Sequence, residues 1–433
     1  MKATEILAGN RLHTTPIYRP ISNEEIKCAF LGKGFDDNPA FVPFNEDLLS
    51  RHILFLGGIG TGKTNSYFQL INQLQHQLTE NDVMIIFDSK GDFHEKFYSP
   101  GDVVISNDDR SIGKFGVDYW NIFNEIENDE HLEENVIEIA NTLFSDKIEK
   151  TSQPFFPTAA KGIFSAVLTH QICSGSTEMN NEALRSFLDR SPTAEIRTML
   201  NIYPEFKSMV SYIADDRSPQ TQGVMSELQA TIREIFIGNF KKNGSLSIRN
   251  LVREKKGRKV FIEYDLAIGA MLTPIYKLMF DMAIKEALSV HKTKGNVYLI
   301  TDEFKLLPNL QHIDDAVNFG RGQGIKLMIG IQNISQIYDA YGEERAKSIL
   351  SGLLTTVCFR VNDGDSREYI KNIHGKNIKQ DIYTSVQTKA LTENIRDSFV
   401  VEDWDISNLG LGEAIIGLPG QEPFLFKFKK AEC

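Results

Sequence analysis

Residues 57–65, Gly-Gly-Ile-Gly-Thr-Gly-Lys-Thr-Asn, constrain this chain more than any other stretch. The apolar run before them (52–57) reads as a buried strand. The segment after them (64–78) places Phe68, Leu70, Ile71, Leu74 and Leu78 on one side of a helix. A strand, a G-x-x-x-x-G-K-T loop (Gly57, Gly62, Lys63, Thr64) and a helix form the context that a phosphate-binding loop requires. Glycines let successive backbone N–H groups turn inward on a polyphosphate, and the helix adds its positive N-terminal end. Lys63 is placed to reach the β- and γ-phosphates, and the Thr64 hydroxyl to bind a bridging Mg²⁺. The candidate nucleotide contacts are therefore Gly57, Gly58, Ile59, Gly60, Thr61, Gly62, Lys63, Thr64 and Asn65, with ATP and Mg²⁺ as the expected ligands.

A phosphate loop needs a carboxylate for the metal and a base for water. The near-continuous apolar run 297–300 has the pattern of a central parallel strand, and it ends in Asp302-Glu303. Acidic groups at the C-terminal end of such a strand stand beside the phosphate loop. Asp302 is assigned to the metal and Glu303 to the attacking water; the plainer alternative is a solvated acidic turn. A third strand, 82–88, ends in Asp-Ser-Lys-Gly-Asp. Asp88 is expected to support the metal or the loop and Lys90 to contact phosphate, against the alternative of a mixed-charge loop.

The remaining features bound the function. A length of 433 residues suggests two or three units, and the net charge of −11 argues against a surface that binds nucleic acid everywhere. A local basic strip stays compatible with it. The stretch 267–288 is the most apolar, but it carries Lys277, Asp281 and Lys285, so no transmembrane helix is expected, and residues 1–20 hold no apolar core before a cleavage site, so no signal peptide is expected. Cys28, Cys173, Cys358 and Cys433 lie far apart without zinc spacing and read as reduced cytosolic thiols. Nothing suggests the substrate lid of a small-molecule kinase.

From Asp302 the chain runs D-E-F with a following Leu-Pro, then G-R-G-x-G-I, I-Q-x-x-x-Q and Y-G. In that order these pieces resemble type IV coupling proteins, the hexameric RecA-like ATPases that pump DNA in bacterial conjugation. The loop, "DSKGD" (88–92), "PFFPTAAKGIFSAVL" (154–168), "KVFIEYDL" and "TPIYKLMF" resemble family segments too, so the likeness spans roughly residues 25–425. It implies an α/β fold: a RecA-like P-loop NTPase with a mostly parallel central sheet flanked by helices, plus an inserted all-α domain. It implies that Arg321 reaches the neighbouring subunit's γ-phosphate and that Gln332 senses the γ-phosphate. Catalysis would then rest on Lys63, Glu303, Arg321 and Gln332, and the metal on Thr64 and Asp302. Arg345 and Lys347 are weaker candidates for added positive charge across the interface. Two features depart from the family pattern: Ser89 replaces a proline, and the two membrane-spanning helices with which conjugative members usually begin are not seen.

Residues 1–50 are expected to form a strand-and-turn extension packed on the core. Residues 51–120 and 239–433 form the nucleotide-binding domain, and 121–238 the all-α insertion, which the resemblance places at the DNA entrance. Two of its helices are expected to open on Ser-Pro, at 191–192 and 218–219. The basic runs 253–259 and 240–245 offer phosphate contacts to DNA or serve as solvated connectors. The expected function is an ATP-driven, sequence-independent DNA translocase acting as a homo-hexamer. It is expected to be cytoplasmic, or peripheral at the inner face of the membrane through a partner. The alternatives are a DNA motor of repair or phage defence paired with a nuclease, and a nucleotide-gated docking platform for a relaxase or effector.

Overall fold

Runs of β-branched and aromatic residues build one large sheet whose parallel half carries the loop. The structure is a computed structural model and describes residues 2–107, 118–289, 294–384 and 391–432. Its strands are β1 (Lys2–Ala8), β2 (Cys28–Lys33), β3 (Pro39–Phe44), β4 (Ile53–Leu56), β5 (Val83–Asp88), β6 (Val103–Ile105), β7 (Arg258–Glu263), β8 (Val297–Thr301), β9 (Ile325–Ile331), β10 (Thr355–Phe359), β11 (Lys376–Thr384), β12 (Leu391–Phe399), β13 (Glu413–Gly417) and β14 (Phe424–Phe428). The main sheet has 11 strands in the order β3-β2-β14-β13-β10-β4-β9-β8-β5-β7-β6. From β10 to β6 every neighbouring pair is parallel, whereas β13, β14, β2 and β3 join antiparallel. The central strands are buried on both faces, which is why they read as unbroken apolar runs rather than alternating ones. β1, β11 and β12 form a separate 3-stranded sheet.

The helices are α1 (Glu46–Leu49), α2 (Lys63–Leu74), α3 (Asp92–Phe97), α4 (Leu132–Lys150), α5 (Phe155–Cys173), α6 (Asn181–Arg190), α7 (Thr193–Leu200), α8 (Pro219–Ile235), α9 (Ile248–Glu254), α10 (Gly269–Leu288), α11 (Ile313–Phe319), α12 (Ser335–Tyr341), α13 (Glu343–Gly352), α14 (Gly364–His374) and α15 (Asp403–Ser407). Strand alternation sorts the core. Met84 and Ile86 face α2 and α3 with Tyr67, Leu70, Phe93 and Phe97, while Ile85 and Phe87 belong to the cluster that holds α10.

Helices α4 to α8 lie between β6 and β7 in the chain, and α4 and α8 pack on α10. α8 opens as expected: Ser218 Oγ accepts from Thr221 N at 3.1 Å, with Pro219 in the first turn. The second Ser-Pro behaves differently. Ser191 N donates to Phe187 O and ends α6, so Pro192 caps α7 without a side-chain bond. A two-residue connection leaves the serine committed to the helix behind it.

Polar groups pin α4 to the core. Glu138 accepts from His312 Nε2 at 2.6 Å and from Lys285, and Lys277 meets Asp146 at 3.0 Å. Asp281, buried in α10, accepts from the backbone N–H groups of Gln311 and His312, just before α11. These partners explain charges inside an apolar helix, since a buried ion must be matched. No helix among the described residues is long and apolar enough to cross a membrane. Cys28 and Cys358 are buried and Cys173 is exposed, each without a disulfide; Cys433 lies outside the described residues.

Candidate nucleotide site

The glycine loop joins β4 to α2 at the C-terminal edge of the parallel strands. Gly60 (φ 72°) and Gly62 (φ 114°) adopt left-handed backbone that other residues resist, and Gly62 caps α2. A side chain at Gly57 would stand 2.6 Å from Phe359 Cβ. The loop is laced to its neighbours: Gly57 N donates to Ile331 O, Gly58 N to Arg360 O, and Gly412 N to Thr61 O. Thr61 Oγ1 donates to Gly58 O at 2.8 Å. Ile59 is 84% exposed at the tip. Lys63 donates its ammonium to the carbonyls of Gly57 and Gly58. Burial pulls that ammonium down to about 8, against the opposing pull of Glu303 and Asp302.

Asp302 and Glu303 follow β8, next to β9 in the sheet. Ser89 Oγ, from the end of β5, donates to Asp302 Oδ1 at 2.9 Å in a buried contact. Burial pushes the Asp302 carboxyl up to about 6, opposed by that bond and by Lys90. Gln332, just past β9, donates Nε2 to Glu303 Oε2 at 2.7 Å. Among the described residues Glu303 Oε1 accepts no hydrogen bond, and Lys305 Nζ stands 3.5 Å from it. Lys63, Asp302, Glu303 and Gln332 thus converge on one edge. Tyr67 ties α2 to this edge by donating to Thr301 O at 3.0 Å. It reaches there because Gly330 has no side chain: a Cβ would stand 2.8 Å from the Tyr67 hydroxyl.

Two residues assigned to the nucleotide have other partners. Asp88 is fully buried, and its carboxylate accepts from the backbone N–H groups of Lys90, Gly91, Phe93 and His94. It closes the turn into α3, as a short acidic side chain does at a helix start, rather than facing the loop. Asn65 clasps the end of the chain, donating to Lys429 O at 2.9 Å and accepting from Ala431 N at 2.7 Å. It begins an amide ladder. Gln69 bonds both backbone groups of Leu31 and also Lys429 O, and Gln73 bonds both groups of Ala29. Gln77 donates to Lys27 O. Four helical residues rise about 6 Å and two strand residues about 6.8 Å, so amides four apart on α2 match alternate residues of β2. The spacing 65-69-73-77 is visible in the sequence, but nothing there says that a strand edge receives it.

Arg321 lies elsewhere. It precedes β9, so it stands at the N-terminal edge of the parallel strands, opposite the loop. β9 has seven residues, a separation of about 23 Å. The guanidinium is exposed and meets Asp47 Oδ1 at 2.5 Å. Arg345 is engaged within the chain by Asp314 and Leu310 O, and Lys347 pairs with Glu343. The run 253–259 is a mesh of ion pairs. Arg253 meets Glu127 and Glu286, Arg258 and Lys256 meet Glu254, and Lys259 meets Asp102 at 3.0 Å. Lys255 donates to Lys294 O. In the run 240–245, Lys242 donates to the Tyr119 hydroxyl.

The residues suit magnesium and a polyphosphate. Thr64 and Asp302 offer hard oxygen donors, the loop offers a glycine-lined cradle, and Glu303 keeps a buried oxygen that accepts no bond.

The family model of the type IV secretion-system coupling protein DNA-binding domain matches residues 38–410. The coupling protein TraD of Escherichia coli K12 is 22% identical over 415 residues, covering 90% of this chain and 54% of TraD. The coupling protein VirD4 of Bartonella quintana is 23% identical, covering 73% of this chain and 51% of VirD4. The chain therefore spans about half the length of the relatives it matches. The conjugative coupling protein TrwB in its unbound form superposes at TM-score 0.76 with 20% identity, covering 99% of this chain and 94% of that one. TrwB in complex with ADP and Mg²⁺ superposes at 0.73 with 19% identity, covering 99% and 95%. At such identity the likeness establishes the fold.

Proposed function

Since the chain belongs to the type IV secretion-system coupling protein family through its DNA-binding domain, we propose that it is an ATP-hydrolysing DNA translocase working as a homo-hexameric ring. TrwB, solved with ADP and Mg²⁺, supports the choice of ligand. The loop N–H groups and Lys63 bind the phosphates, and Thr64 and Asp302 hold the metal, with Ser89 fixing the Asp302 carboxylate. A magnesium ion held by Thr64 and Asp302 would supply positive charge to offset that of the phosphates. Glu303 orients water through Oε1, which accepts no hydrogen bond among the described residues, and takes its proton, while Gln332 holds the other oxygen. The helices within 121–238 are the part we assign to the DNA entrance. Binding is to phosphates rather than bases, so it weakens steeply with salt.

One observation carries the reading: the loop, after β4, and Arg321, before the neighbouring parallel strand β9, occupy opposite edges of the sheet. An arginine about 23 Å from its own loop serves catalysis only from another copy, where it stabilises charge developing on the γ-phosphate. The test is ATP hydrolysis per subunit against protein concentration, with and without single-stranded or double-stranded DNA. The rate should climb with concentration and with DNA. A flat profile that no DNA raises overturns the proposal.

A further inference from the structure

Resting on that head-to-tail ring, we infer a second contact between neighbouring copies: the exposed turn Gly410-Leu411-Gly412 of one copy enters a cavity of the next. The cavity measures about 850 Å³ and is lined by Arg51, Leu354, Ile373, His374, Gly417 and Pro419, among others. It opens where β4 and β10 begin and β13 ends, on the same edge as Arg321. A continuous set of contacts joins it to the arginine. Arg321 meets Asp47 at 2.5 Å, and Asp47 meets Arg51 at 3.0 Å. Leu354 and Ile373 remain 47% and 43% exposed, and His374 Nε2 has no hydrogen-bond partner among the described residues.

The occupant is found on the opposite edge. Leu411 is 75% exposed immediately before β13, and Gly412 N donates to Thr61 O of the phosphate loop at 3.0 Å. β13 runs antiparallel to β10, so it starts beside the loop and ends at the cavity. The leucine turn and the cavity are therefore the two ends of one strand, two strands or about 10 Å sideways from β4. In a closed ring every copy meets the next by the same rotation, through a heterologous interface. An arrangement that sets Arg321 against the neighbour's loop then sets the cavity against the neighbour's Leu411.

The test is disulfide trapping in the full chain with Cys173 and Cys433 changed to serine. One variant carries Leu411→Cys with Leu354→Cys. A second carries Ile59→Cys with Phe319→Cys, which reports the loop against the arginine edge. Each is oxidised with a non-hydrolysable ATP analogue, Mg²⁺ and DNA. Ladders of covalent multimers from both variants are the expected result. A ladder from the second alone overturns the socket and leaves the ring standing; ladders from neither overturn both. Leu411→Asp supplies a readout without cysteines. It should raise the protein concentration for half-maximal hydrolysis at least tenfold while nucleotide binding is unchanged, and an unmoved midpoint overturns the socket.

Discussion

Gln332 donates its side-chain amide to Glu303 at 2.7 Å, linking the ends of two adjacent parallel strands. The bond holds one carboxylate oxygen, and the other accepts no hydrogen bond among the described residues. Glu303→Gln should keep nucleotide binding and lower hydrolysis by about 10² to 10⁴. If Gln332 acts by positioning that carboxylate, Gln332→Ala should add little to Glu303→Gln, because coupled residues are not additive. Single-turnover rates of the two single variants and the double decide it, and full additivity would separate the two roles.

Ser89 occupies the place where the family pattern has a proline, and its hydroxyl restrains Asp302. Groups that orient a metal ligand change metal affinity by about 10- to 100-fold. Ser89→Ala should raise the Mg²⁺ needed for half-maximal hydrolysis about tenfold and leave the rate at saturating Mg²⁺ nearly intact. A magnesium titration measures this.

Arg321→Ala should bind nucleotide normally and lose about 10³-fold or more in turnover. Lys63→Ala should fail at the phosphate loop. Each retains what the other lacks, so a one-to-one mixture should recover about a quarter of the native rate if subunits join at random in a heterologous ring. No recovery in the mixture would mean that the arginine does not act across subunits.

His52 is buried where the chain enters β4, and its Nδ1 accepts from Leu327 N at 3.1 Å. Burial pulls the ring down from 6.5 to about 4. The folded chain therefore favours the neutral ring. Its stabilisation is complete above pH 6.5 and is lost as pH falls toward 4, a change of roughly 3 kcal/mol. His52→Asn keeps an acceptor and suits the left-handed backbone (φ 59°) at this position. The Tm of the native chain should drop further between pH 7 and 5 than that of the variant.

Gln69 is buried and satisfies both backbone groups of Leu31 as well as Lys429 O. Gln69→Leu should cost roughly 1 to 3 kcal/mol, since it leaves the Leu31 N–H without its partner while Leu31 O keeps Lys429 N and Lys429 O keeps Asn65. Thermal melting is the measurement. An unchanged Tm would show that water replaces the amide.

The loop, its strand and its helix were legible because they are local: glycine spacing, a short apolar run and a 3.6-residue period occupy one stretch of chain. The acidic pair was legible for the same reason, as the end of an apolar run that only a twice-buried strand would carry. Sequence position alone left Asp88 open and assigned Asn65 to the nucleotide, because a carboxylate or amide near a phosphate loop can serve the backbone as readily as a ligand. The fold decided that Asp88 closes a turn, that Asn65 holds the chain's end and that Ser89 reaches Asp302 across 213 positions. It also decided which edge each residue occupies. Strand direction places Lys63 and Arg321 on opposite sides of the sheet, and direction depends on pairings between segments hundreds of residues apart, which no local pattern encodes.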